Sequence, residues 1–160
     1  MIDGMTRKLR GSSAPITLAL LVGLILIAGC SGDGAPTPTP GGMDDVLPAL
    51  ALRGATVHQS VSGDAGCPGS PLRSNAARLE ISVAGDQQRY SVYLFRWRRP
   101  AHFEAAAQPF DQCLAEFLAQ SDGEVPIDQV EAPPWRAYGP GWSEDVLVIV
   151  EDALRDLSGT

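Results

Sequence analysis

The chain has 160 residues, 44% of them hydrophobic, with 12 basic and 19 acidic residues and a net charge of −7. That length suits one core-forming domain, and the acidic balance argues against nucleic acid as a partner, because a phosphate backbone repels a negative surface. No cofactor or catalytic fingerprint appears: G-x-S-x-G, H-E-x-x-H, P-loop and dinucleotide motifs are all missing, and His58 and His102 lack the spacing of metal ligands.

In chain order, Arg7, Lys8 and Arg10 give a basic start, and a 13-residue apolar run follows from Ile16 to Ala28 (ITLALLVGLILIA). A membrane-spanning helix needs roughly 20 apolar residues, so this run fits the apolar part of a secretory signal better. No basic residue follows it until Arg53, so a stop-transfer flank is missing too. The run closes on Leu26-Ile27-Ala28-Gly29-Cys30, with small residues on both sides of the cysteine. This ending resembles the lipobox of bacterial lipoproteins. The resemblance implies that residues 1–29 are a signal peptide removed just before Cys30. It further implies that the Cys30 sulfur carries a diacylglyceryl group, that the new amino terminus is often acylated, and that the mature protein is extracytoplasmic. Two or three acyl chains hold a protein on a membrane stably, where one binds only marginally. Met5 offers a second start codon besides Met1.

From Ser31 to Gly42 the chain reads SGDGAPTPTPGG and predicts a disordered tether, since no large apolar side chain is present to offset the entropy of ordering. The Pro-Thr alternation stiffens it toward polyproline II, giving a reach of roughly 35–40 Å. Residues 43–160 then form a single domain, expected as a monomer. Without residues 1–29 the chain keeps nine Arg, no Lys and eighteen acids, for a net charge of −9. Membrane contact is therefore expected from the lipid alone.

Within the domain, Asp44 to Leu52 predicts a short helix with acids in its first turn and Gly54 just past its end. Ala55 to Val61 predicts a strand, and Ser62 to Asn75 a Gly/Pro/Ser-rich loop. Ala77 to Ala84 places Leu79, Ile81 and Val83 on one face, and after a Gly85-Asp86 turn Arg89 to Trp97 is the strongest strand signal, so the two predict an antiparallel hairpin. Pro100 opens a helix whose apolar stripe is Phe103, Ala107, Phe110, Leu114 and Phe117, with Pro109 required to kink or split it. After a turn at residues 121–126, Ile127 to Trp142 predicts an extended piece broken by Pro133-Pro134. The β-branched run Val146 to Val150 predicts a buried strand, and Ala153 to Leu157 a closing helix. The order α-β-β-β-α-β-β-α predicts an α+β fold, a two-layer sandwich of a mostly antiparallel sheet with helices on one face. The pattern Val130-Glu131-Ala132-Pro133-Pro134 followed by Tyr138, Gly139 and a terminal strand resembles small uncharacterised bacterial lipoprotein domains, a likeness that speaks to fold more than to function.

Once Cys30 carries lipid, Cys67 and Cys113 remain, and outside the cytoplasm such a pair favours a disulfide over a redox or nucleophilic thiol. Arg96, Arg98 and Arg99 bracket Trp97 in FRWRRP beside the start of a helix. They suit either an anion contact for phosphate or carboxylate or a solvated strand end paired with some of the acids. Trp135, Tyr138 and Trp142 sit in a Pro/Gly-rich stretch, as recognition anchors or as caps on the open end of the core. His102 could act with Asp111 or Glu104, against the simpler reading of a solvated helix residue. The sequence favours a non-catalytic, lipid-anchored binding or envelope-associated module with the membrane, and conceivably an envelope protein, as partners and with no cofactor. The alternatives are a small-ligand or anion binder through Arg96, Arg98 and Arg99, and an enzyme or redox protein using His102 or Cys67/Cys113.

Overall fold

The computed structural model describes residues 39–121 and 125–159. The signal-like segment, Cys30 and the tether as far as Pro38 lie outside the described residues. So does part of the turn expected at residues 121–126.

A five-stranded antiparallel sheet in the order β1-β2-β3-β5-β4 organises the domain. Its strands are β1 (Ala55–Ser62), β2 (Ala76–Val83), β3 (Tyr90–Arg96), β4 (Ile127–Ala132) and β5 (Trp135–Pro140). The helices are α1 (Val46–Leu52), α2 (Pro100–Ala105), α3 (Ala107–Gln120) and α4 (Glu144–Ser158), with 3₁₀ turns at Met43–Asp45 and Pro71–Asn75. The α+β class and the element order are those expected. The β2–β3 hairpin is also as expected, with Ala76 opposite Phe95 and Ile81 opposite Tyr90. Its turn is closed by the Asp86 N–H on the Val83 carbonyl, with Gly85 at φ 88° supplying the left-handed conformation.

The layering differs from expectation, because period-2 alternation buries both faces of the central strands. Val92 and Leu94 of β3 and Trp135 and Ala137 of β5 join a core with Val46 and Leu50 of α1 and Val146, Val150 and Leu154 of α4. Phe95 of β3 and Tyr138 of β5 point the other way, into a second core with Phe103 of α2, Phe110 and Cys113 of α3, and Ala65, Cys67 and Leu72 of the long β1–β2 loop. Helices therefore cover both faces rather than one. Both faces of the central strands are apolar, and one helical layer can cover only one of them.

Two local expectations change as well. Val146 to Val150 is the first half of α4, not a strand. Ser143 caps that helix by accepting from the Val146 N–H at 3.4 Å, Glu144 and Asp145 favour its positive end, and Gly159 terminates it at φ 72°. The stretch from Ile127 to Pro140 is not one broken strand but the β4–β5 hairpin, turning through Pro133-Pro134, whose peptide bond is cis. The predicted helix after Pro100 does divide, at Ala106. Pro109 then sits in the first turn of α3, where a backbone N–H would have no intrahelical acceptor. The ordered domain also begins earlier than Met43: the Gly41 N–H donates to the Leu157 carbonyl at 2.8 Å.

Candidate functional site

β3 runs out at Arg96, and the way Trp97 turns determines what its arginine neighbours can do. The Trp97 indole faces inward, stacked on Phe95 at 6.1 Å and edge-on to Phe103 at 5.5 Å, while the Trp97 backbone N–H donates to the Pro134 carbonyl at 3.1 Å. With that side chain sunk into the second core, Arg98 and Arg99 are left exposed, and Pro100 starts α2 immediately after them. Arg96 lies over the Trp135 ring at 5.5 Å and donates to the Pro40 carbonyl at 3.5 Å, and its buried Nε finds no acceptor.

Arg96, Arg98, Arg99 and His102 line one cavity of about 470 Å³, with Ser74 and Asn75 on its far wall and no carboxylate in the lining. Arg53, Arg78, Arg89, Arg136 and Arg155 each have a carboxylate within ion-pair distance, whereas among the described residues Arg96, Arg98 and Arg99 have none. Among the described residues, these arginines therefore lack the acidic partners that the simpler reading gave them. Positive charge collects at one end of the sheet in a domain that is acidic elsewhere. Across Arg96, Trp97 and Arg98 lies a second cavity of about 460 Å³, walled by Pro40, Pro100, Phe103, Pro133 and Pro134, with Glu104 as its carboxylate. Sequence reasoning named the arginines but missed these walls, because Pro40, Asn75 and Pro133 come from three distant segments.

The other predicted residues fall elsewhere. Trp135 and Tyr138 are fully buried and Trp142 nearly so, which corrects their reading as exposed recognition anchors and makes them core. Each polar tip is satisfied inside: the Trp142 Nε1 donates to the Ser91 carbonyl at 2.9 Å and the Tyr138 hydroxyl to the Ala65 carbonyl at 2.6 Å. Gly139 permits this approach, since a Cβ there would overlap the Trp142 indole and the Ser91 carbonyl. Burial pushes the Tyr138 pKa well up, with Tyr93 and Asp64 adding to it, so the hydroxyl remains a neutral donor.

Cys67 and Cys113 stand at disulfide distance, with Cα atoms 5.4 Å apart, inside the range of about 4.4–6.8 Å that such a bond allows. Both sulfurs are buried against the Ala65 carbonyl, which withholds them from a substrate. His102 is exposed, and among the described residues it is hydrogen-bonded to neither Glu104 nor Asp111 through its side chain. His58 meets Ser82 at 2.8 Å on the exposed part of the sheet. A third cavity, of about 410 Å³, surrounds residues 61–68, but its charged groups are engaged: Asp64 pairs with Arg78 at 2.8 Å and Arg73 donates to the Gly63 carbonyl at 3.0 Å.

Arg136 was not anticipated. Buried on β5, it stacks over Phe103 at 4.4 Å and Phe110 at 5.2 Å, with Glu131, its cross-strand partner, at 3.0 Å from Nε but not aligned as a hydrogen bond. It holds the second core together beneath the arginine groove. Among the described residues no group of His, Cys, Asp and Glu is placed to hold a metal, and no helix is long and apolar enough to cross a membrane. Compared with protein-family models, curated proteins and solved structures, the chain matches none.

Proposed function

We propose that this protein is a lipid-anchored, extracytoplasmic binding module, non-catalytic, which holds a small anionic ligand in the groove of Arg96, Arg98, Arg99 and His102. The anchor reading rests on the basic start, the short apolar run and the LIAGC ending at Cys30. The site reading rests on one observation: three arginines, with His102 beside them, share a cavity that no carboxylate lines. Guanidinium forks suit phosphate or carboxylate oxygens, which they bind through paired N–H donors. The first turn of α2 beside them adds nothing that the argument needs.

The test is a thermal-shift titration of the full chain with inorganic phosphate and, separately, with acetate. Ligand at about a hundred times its Kd should stabilise the fold by about 2.7 kcal/mol. The double variant Arg98→Ala/Arg99→Ala should respond at least ten times more weakly while unfolding at the same temperature without ligand, since both side chains are exposed. No shift with either anion, or an equal shift in the variant, would remove the site.

A further inference from the structure

The geometry points to a more specific ligand for this groove: a phospholipid of net negative head, from the membrane that carries the anchor. Its phosphate sits among Arg96, Arg98 and Arg99, and the start of its acyl chain lies along Pro100, Phe103 and Pro133. The inference rests on the anion-binding reading above and deepens it.

Three observations carry it. First, the cationic cavity and the apolar one are neighbours, sharing Arg96, Trp97 and Arg98, and each has the size of an ordinary ligand pocket. A ligand spanning both must join a negative group to an apolar body within the width of one side chain. A free phosphate would leave the proline-lined half unused. Second, charge is graded along the groove. Arg99 and His102 line only the first half, Arg96 and Arg98 border both, and Glu104 lines only the second, where it disfavours a second negative group. A molecule charged at one end only fits that arrangement, and a polyanion does not.

Third, the chain places the groove. Thr39 and Pro40 form part of its wall, and from there only nine residues lead back to Cys30. Nine residues span at most about 32 Å even when fully extended, so an acylated Cys30 would keep the groove within that distance of its lipid. The rest of the domain carries excess negative charge and is repelled by an anionic surface, which turns the arginine end toward the lipid. Contact with the membrane is then not left to the anchor alone.

The experiment uses the full chain, purified from membranes and reconstituted in vesicles of phosphatidylcholine, with and without phosphatidylglycerol, and read by amide hydrogen exchange. The α2 amides, such as Phe103 N–H on the Arg99 carbonyl and Ala106 N–H on the His102 carbonyl, report on the groove, and the β2–β3 hairpin serves as an internal control. Phosphatidylglycerol should slow exchange over residues 97–106 at least tenfold and leave the hairpin unchanged. Inorganic phosphate added to phosphatidylcholine vesicles should slow it no more than threefold. Arg98→Ala/Arg99→Ala should abolish both effects, whereas Pro133→Ser, at an exposed groove wall, should cut the lipid effect at least threefold and spare the phosphate effect. Equal protection by phosphate and lipid overturns the lipid ligand but leaves an anion site. A lipid effect unchanged in Pro133→Ser reduces it to surface attraction and likewise overturns the inference. No protection under any condition overturns the anion-binding reading as well.

Discussion

Removing the link between Cys67 and Cys113 tests how the second core is held. The two residues are 46 apart in sequence, and their bond ties the Gly-rich loop after β1 to the middle of α3. In the chain-entropy model, a closed loop of that length stabilises the native state by about 4 kcal/mol, since it restricts the unfolded chain. Unfolding entropy for a domain of this size is about 0.25 kcal/mol/K, so Cys67→Ala/Cys113→Ala should lower Tm by about 16 °C. The bond also fixes Ala65, whose carbonyl receives the Tyr138 hydroxyl. Loosening the loop therefore weakens a buried hydrogen bond, an addition of about 1 kcal/mol. Urea unfolding followed by tryptophan fluorescence suits the measurement, because Trp97, Trp135 and Trp142 are all buried and will redden on exposure. With an m-value of about 2 kcal/mol/M, the midpoint should fall by about 2 M, and m should rise as the unfolded chain expands. A midpoint displaced by less than about 0.3 M at constant m would refute the reasoning, given an m-value of that order. So would two free thiols in unreduced, denatured wild-type protein.

Cys30→Ser should leave the chain unlipidated with its signal uncut, and intact-mass spectrometry decides this: wild-type protein that keeps Met1 or Met5 and carries no acyl mass sinks the anchor. Tyr90→Phe should change the acid limb of stability. The Tyr90 hydroxyl, donating at 2.5 Å, is the main reason the Asp86 carboxyl titrates below its usual range, with the Gln88 N–H second. A depressed carboxyl stabilises the fold above its unfolded pKa and loses that contribution as pH falls through the folded value. The variant's Asp86 should therefore titrate higher by carboxyl NMR, and its stability should vary less between neutral and acid pH. An Asp86 titration that does not move means the bond is not made in solution.

The sequence was most legible where local pattern and tertiary environment agree. Leu79, Ile81 and Val83 alternate because one face of β2 is buried, and Gly85-Asp86 supplies turn chemistry, so the hairpin could be read directly. It was least legible at Val146 to Val150, where β-branched residues favour a strand but packing decides. Val146, Val150, Ala153 and Leu154 fall on one helical face against the sheet, and burying that face outweighs a modest propensity penalty. Ser143 followed by Glu144 and Asp145 was the signal that would have identified the helix. Trp135, Tyr138 and Trp142 were left between recognition anchors and caps on the core for a related reason. A Pro-Pro turn reads as an irregular loop, whereas here it closes a hairpin and makes β5 a nearly central strand. The arginine site was half legible. FRWRRP announces the charge, but its emptiness of acids depends on which segments fold around it.

The place where the chain enters the domain also sets how it bears force. If Cys30 carries lipid as proposed, a pull on the chain arrives at Pro40 and Gly41, which are held by Arg96 at the end of β3 and by the Leu157 carbonyl near the end of α4. Those contacts stand beside the groove, so tension between the membrane and anything gripped by Arg98 and Arg99 travels a few residues and never crosses the sheet. The first core enters that load path only when α1, which carries Val46 and Leu50, is pulled away. What yields first under strong traction is the pair of bonds Arg96–Pro40 and Gly41–Leu157, followed by the turn at Met43–Asp45 and then α1. The five strands and the Cys67–Cys113 link are reached only after α1 has been stripped away.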